Sequence, residues 1–159
     1  MTARILMTAA LLASLAACQS PSEPTLTTSE TLRLRSGLEF GECRGYCRTE
    51  LRLDGDSLLL IQRGWRAGEF PDRAFRAPLA PEEWRALRAL FDRDAFLALD
   101  TTYGCPDCAD GGAEWVEVET DALLKRVTFE NGEAPQPIER LAGTLRRLRE
   151  RAVAEAGWQ

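Results

Sequence analysis

The sequence predicts an α+β fold, an antiparallel sheet of about four to five strands with two helices packed on one face. Three observations carry that prediction. Several short stretches alternate apolar and charged residues, two longer ones repeat apolar residues at three- and four-residue steps, and their order is strands, helix, strands, helix. An antiparallel sheet with one face against helices and one towards water accounts for the alternation.

Taken in order, Leu32 and Leu34 alternate with Arg33 and Arg35, and Leu51 and Leu53 alternate with Arg52 and Asp54, as half-buried strands do. Asp54-Gly55 tolerates positive φ and marks a tight hairpin into Ser57-Leu58-Leu59-Leu60-Ile61-Gln62. Pro81 opens a helix to about Arg93. Glu82 and Glu83 sit at the positive end of its dipole, and Trp84, Leu87, Leu90 and Phe91 share one face. Glu114 to Thr120 and Leu123 to Phe129 form a second strand pair across Asp121-Ala122, closed by the Asn131-Gly132 turn signal. Pro137 starts the last helix, with Ile138, Leu141, Leu145, Leu148 and Ala152 as its core stripe. Arg146, Arg147, Arg149 and Arg151 gather towards its negative end.

Composition removes several function classes. The 159 residues are 45% hydrophobic and 28% charged, with a formal net charge of -5. That balance gives no electrostatic grip on nucleic acid or an anionic membrane surface. Histidine is absent, which excludes Ser-His and Cys-His nucleophile pairs, HExxH zinc sites and histidine pH switches.

Arg4 precedes an apolar run from Ile5 to Ala17 that is too short for a membrane-spanning helix of ~20 residues and reads as an export signal. Leu15-Ala16-Ala17-Cys18 ends it and resembles the lipobox of bacterial lipoproteins. The resemblance implies cleavage after residue 17 and acylation of Cys18; a plain secretory cleavage site is the other reading. It further implies attachment to the membrane through lipid alone. Gln19, where an inner-membrane retention signal would place aspartate, points to the outer membrane facing the periplasm. Residues 18–30, polar and with Pro21 and Pro24, form a tether. Residues 31–159 form a single domain, long enough for one core.

The motif Cys43-Arg44-Gly45-Tyr46-Cys47, the following strand, Asp54-Gly55, a second strand, a helix ending near Phe96-Leu97, then Lys125-x-Val127 and Pro137-Ile138-x-x-Leu141 span nearly the whole domain. Together they resemble a bacterial domain of unknown function found in secreted proteins and lipoproteins. Arg48 stands where that family has proline. No activity is implied.

Apart from Cys18, four cysteines form two close pairs, Cys43 with Cys47 and Cys105 with Cys108. In an oxidising envelope these are disulfide candidates. Gly45 and Pro106 favour turns that close each pair locally. Cross-pairing would stabilise more, about 4 kcal/mol for a ~60-residue loop against about 2 for a four-residue ring, and connectivity stays open. Two chemical alternatives use the same sulfurs. Cys105-Pro106-Asp107-Cys108 has the spacing of disulfide oxidoreductases, although Asp107 and Asp110 disfavour a thiolate and a strand follows instead of a helix. Four thiolates could also hold zinc, which oxidation would prevent. Asp107, Asp110, Gly111 and Gly112 do not follow a calcium-loop spacing.

Glu114, Glu117 and Glu119 lie along one strand, with Glu117 and Glu119 on the same face, an alternation that reads as the solvent side of a sheet and not as a glycosidase pair. Lys125, the only lysine, has no serine placed beside it. The function expected is a non-enzymatic, disulfide-stapled binding or structural domain, without cofactor or metal, acting on an envelope protein partner. Tyr46 and Tyr103, beside the cysteine turns, are candidate binding anchors or packed core residues.

Overall fold

The computed structural model describes residues 31–158. The expected export signal 1–17, the expected acylation site Cys18 and the expected tether 18–30 lie outside them.

The α+β class holds, with more elements than expected: among the described residues the sheet has seven strands and there are three α-helices. In chain order the strands are β1 (Leu32–Glu39), β2 (Tyr46–Asp54), β3 (Ser57–Gly64), β4 (Arg73–Pro78), β5 (Thr102–Tyr103), β6 (Ala113–Thr120) and β7 (Leu124–Glu130). The helices are α1 (Pro81–Leu90), α2 (Arg93–Ala98) and α3 (Glu139–Glu155). Across the sheet the order is β4-β3-β2-β1-β6-β7-β5, antiparallel throughout except that β5 pairs with β7 in parallel.

The two strands beyond expectation carry weak patterns. β4 reads Arg-Ala-Phe-Arg-Ala-Pro, with one large apolar side chain, and lies at the sheet edge where Pro78 is tolerated. β5 is two residues long. The helix expected from Pro81 to about Arg93 instead stops at Leu90. Phe91 and Asp92 are extended, and the Asp92 carboxylate accepts the Ala95 N–H at 3.0 Å, capping a separate α2. Pro137 lies in a one-turn 3-10 segment, Gln136–Ile138, that leads into α3.

One face of the sheet supplies Leu34, Leu51, Leu60, Val118, Val127 and Phe129 to a continuous core. Leu87 of α1, Phe96 of α2 and Leu141, Leu145 and Leu148 of α3 complete it. All three helices therefore cover the same face. Lys125 also points to this side. Its ammonium donates to the carbonyls of Leu97 and Leu99, satisfying acceptors at the end of α2, which has no basic residue in its own last turn.

The other face is an ionic lattice. Arg33 bridges Asp54 and Glu119, Arg35 bridges Glu117 and Glu119, and Glu50 holds Arg52 and Arg63. At its centre Trp115 lies across Gly37, its partner in the β1–β6 register, where a Cβ would overlap the indole. Arg126 stacks on that ring at 3.7 Å, and the indole N–H donates to Glu39 at 2.8 Å. Charged neighbours thus bury Trp115 on a face without helices.

Candidate functional site

The two ends of the sheet differ. At one, strands turn tightly through Asp54-Gly55 and Asp121-Ala122. At the other lie the longer connections: residues 40–45 between β1 and β2, 65–72 between β3 and β4, and 104–112 between β5 and β6. Both cysteine pairs are at this second end, each joined within its own loop.

Cys43 and Cys47 are bonded with their Cα atoms 5.6 Å apart. Gly45, at φ 114°, makes the turn that lets them meet. Cys47 is buried at the head of β2, and the Phe40 N–H donates to its carbonyl at 3.0 Å, closing the loop base.

Cys105 and Cys108 are bonded with Cα atoms 5.4 Å apart, and both residues are exposed. Pro106 presets the first corner of a β-turn closed by the Cys108 N–H donating to the Cys105 carbonyl at 3.0 Å. Asp107 takes the second corner with φ 61°, and Ala109 and Asp110 follow at 52° and 57°. A left-handed non-glycine residue costs about 1–2 kcal/mol, so this short segment is held by its surroundings against its own preference. The restraints are the disulfide, the Asp107 N–H to the Gly112 carbonyl at 3.2 Å, and the Cys105 N–H to the Glu130 carboxylate at 2.7 Å.

These loops are tied into one surface. The Gly41 N–H donates to Asp107 Oδ2 at 2.8 Å, and the Phe40 ring packs over Gly112. The second carboxylate oxygen, Asp107 Oδ1, is buried without a hydrogen-bond partner. The Trp65 N–H donates to the Gly45 carbonyl at 3.1 Å, joining the 65–72 loop to the first disulfide loop. Tyr46 meets Phe70 edge to face and its hydroxyl donates to the Pro71 carbonyl at 3.2 Å.

The two tyrosines expected as anchors are engaged elsewhere. Tyr46 is half-buried under the Arg73 guanidinium at 3.8 Å, which also lies 4.4 Å from the Trp158 ring. Tyr103 is half-buried against the core, and its hydroxyl accepts the Asp100 N–H at 2.9 Å. The exposed aromatic of the loop end is Trp65, 49% accessible, with Arg66 stacked at 4.4 Å. Its surroundings, Gly-Trp-Arg-Ala-Gly, have no periodic signal that would single it out in sequence.

A buried ionic group supports the sheet near the same loops. Glu114, unlike Glu117 and Glu119 of the same strand, shares the core face with Val116 and Val118 and is 1% exposed. It accepts Arg149 Nη2 at 2.8 Å, Arg146 Nη2 at 2.5 Å and the Gly132 N–H at 3.3 Å, while Arg149 also donates to the buried Ser36 hydroxyl. Burial pushes the Glu114 carboxyl up, but hydrogen bonds and charges from the two arginines outweigh it and hold the group below the ordinary carboxylate range. Period-two counting from Val116 places Glu114 inside, and Arg149 lies on the Leu145–Ala152 side of α3, so both were findable. Beside it, a depression of about 450 Å³ is lined by Leu90, Thr144, Arg140, Arg146 and Arg147.

Among the described residues no group of three or more His, Cys, Asp or Glu side chains is placed to hold a metal ion. No protein-family model matches the chain, and no curated protein matches it.

Proposed function

We propose that this chain is a non-enzymatic envelope lipoprotein, attached through acylated Cys18 at the outer membrane, whose disulfide-stapled loop end binds a protein partner. The observation that carries the reading is the joining of two disulfide loops at one end of the sheet through Gly41 and Asp107. Stapled loops are pre-organised, so less ordering entropy opposes association. Trp65, exposed and fixed at its backbone to Gly45, is the anchor. Tyr46, through Phe70 and Pro71, positions the 65–72 loop that carries Trp65.

The sequence around Cys18 and the oxidised cysteine pairs support the same compartment, since structural disulfides belong to oxidising environments. The four-cysteine zinc alternative requires thiolates, and local pairing consumes all four sulfurs.

Intact-mass spectrometry of the protein from its native envelope tests the compartment. A diacylated Cys18 start with four oxidised cysteines is expected; an intact Met1 with four alkylatable thiols would overturn the reading. Crosslinking in envelope extract tests the surface. Trp65→Ala should lose partners that Tyr103→Phe retains, and an identical partner set in both would remove Trp65 as anchor.

A further inference from the structure

We propose that the two disulfides have different roles: Cys43–Cys47 is a permanent staple, whereas Cys105–Cys108 is a thiol–disulfide exchange site whose substrate is a dithiol, and whose opening unlatches the two loops. This goes beyond the binding role and does not depend on how the chain is anchored.

Three observations separate the pairs. The first is access: Cys47 is buried, while Cys105 and Cys108 are both exposed, and exchange requires a thiolate to reach a sulfur. The second is backbone conformation. Asp107, Ala109 and Asp110 are held left-handed in and beside the four-residue ring, so opening it releases backbone that closure constrains. No comparable run of left-handed residues accompanies Cys43–Cys47, where Gly45 alone has positive φ. The third is what the closed ring does. It fixes Asp107 so that one carboxylate oxygen accepts the Gly41 N–H while the other is buried without a partner. Such an arrangement persists only while the turn is locked.

In this exchange the pair is the electrophile, because it is held as a disulfide with both residues exposed to an incoming thiolate. A thiolate of the dithiol attacks Sγ of one exposed cysteine, forming a mixed disulfide and expelling the other cysteine as a thiolate that takes up a proton. The second donor thiol then loses its proton and attacks the mixed disulfide, releasing the first cysteine, which is protonated in turn. Two electrons and two protons pass to the protein, and the donor leaves as its disulfide. With the ring open, Asp107 leaves the left-handed region, the bond to Gly41 is lost, and residues 40–45 keep their own disulfide, the Phe40–Cys47 backbone bond and the contact with Trp65.

The test equilibrates the full chain in dithiothreitol buffers of graded reduced-to-oxidised ratio, quenches in acid, and maps alkylated cysteines by mass spectrometry. Cys105 and Cys108 should open at a ratio about tenfold or more below that for Cys43 and Cys47. Hydrogen exchange at residues 40–45 should accelerate at that same lower ratio. Opening of both pairs together would overturn the division of roles, and exchange at 40–45 that ignores the opening of Cys105–Cys108 would overturn the latch. A Cys105→Ser, Cys108→Ser variant should show the faster exchange without reductant. Should that variant not fold, Asp107→Ala keeps both cysteines and removes the acceptor. It should exchange fast at Gly41 already when oxidised, with no further change on reduction; slow exchange there would count against the coupling.

Discussion

Arg149 donates to Glu114 across 2.8 Å with side chains 5% and 2% exposed, so the last helix is fastened to the sheet by an ion pair inside the core. Removing one member of such a pair leaves the other charged in a medium that cannot solvate it. Glu114→Ala should therefore lose about 3–5 kcal/mol in urea unfolding. Glu114→Leu combined with Arg149→Met should recover much of that loss, since well-packed apolar replacements dispense with the desolvation cost. A double variant no more stable than Glu114→Ala would contradict this account.

Acid stability follows from the same carboxyl and two others. Glu114, Glu50 and Glu83 all lie below their ordinary value of 4.5. For Glu114 and Glu50 burial opposes the shift and paired arginines overcome it. For Glu83 the Arg151 hydrogen bond leads. A carboxyl lowered on folding contributes stability that is complete above its unfolded pKa and is lost as pH falls through the folded one. Melting temperature should be insensitive to these groups near neutrality and decline below about pH 4.5. Glu114→Ala should decline less steeply there than the wild type.

Gly37 and Trp115 form a second testable pair. A methyl at residue 37 would occupy space taken by the indole, so Gly37→Ala should cost about 1–3 kcal/mol in urea unfolding through overpacking. In a Trp115→Ala background the same change should cost little. Equal cost in both backgrounds would show that the clash is not the cause.

Arg73 connects the C-terminal segment to β3. Its guanidinium donates twice to the side-chain Oε1 of Gln62, at 3.0 and 2.7 Å, and lies between Tyr46 and Trp158. Arg73→Ala strands the buried Gln62 acceptor and should cost about 1–3 kcal/mol. Arg73→Lys should restore only part of this, because an ammonium lacks the planar fork. Limited proteolysis should show cleavage after Ala156 rising in the order wild type, lysine, alanine.

How far the fold was legible depended on whether its signals were local. The Asp54-Gly55 hairpin, with Leu53 opposite Leu58, follows from alternation and one turn dipeptide. Gly45 and Pro106 favour local disulfides, but the choice over cross-pairing is made only by the fold. The break before α2 was hidden because Phe91, after the helix ends, still packs into the core and prolongs the apolar stripe. β4 escaped because an edge strand needs few apolar residues. At the loop end, the meeting of Gly41 and Asp107 joins positions 66 residues apart, and no spacing rule encodes it. Glu114 is hidden for a different reason: the arginines that let a carboxylate enter the core, Arg146 and Arg149, stand 32 and 35 residues further along the chain.

The polarity of β1 has a mechanical consequence. The chain enters the domain at the tight-turn pole, and the strand runs eight residues before delivering residues 40–45 to the opposite one. At ~3.3 Å per residue, that stand-off is about 25 Å. A mooring upstream of Thr31 would attach the domain at the pole opposite both sulfur-bridged loops and Trp65, leaving that end the farther from the point of attachment.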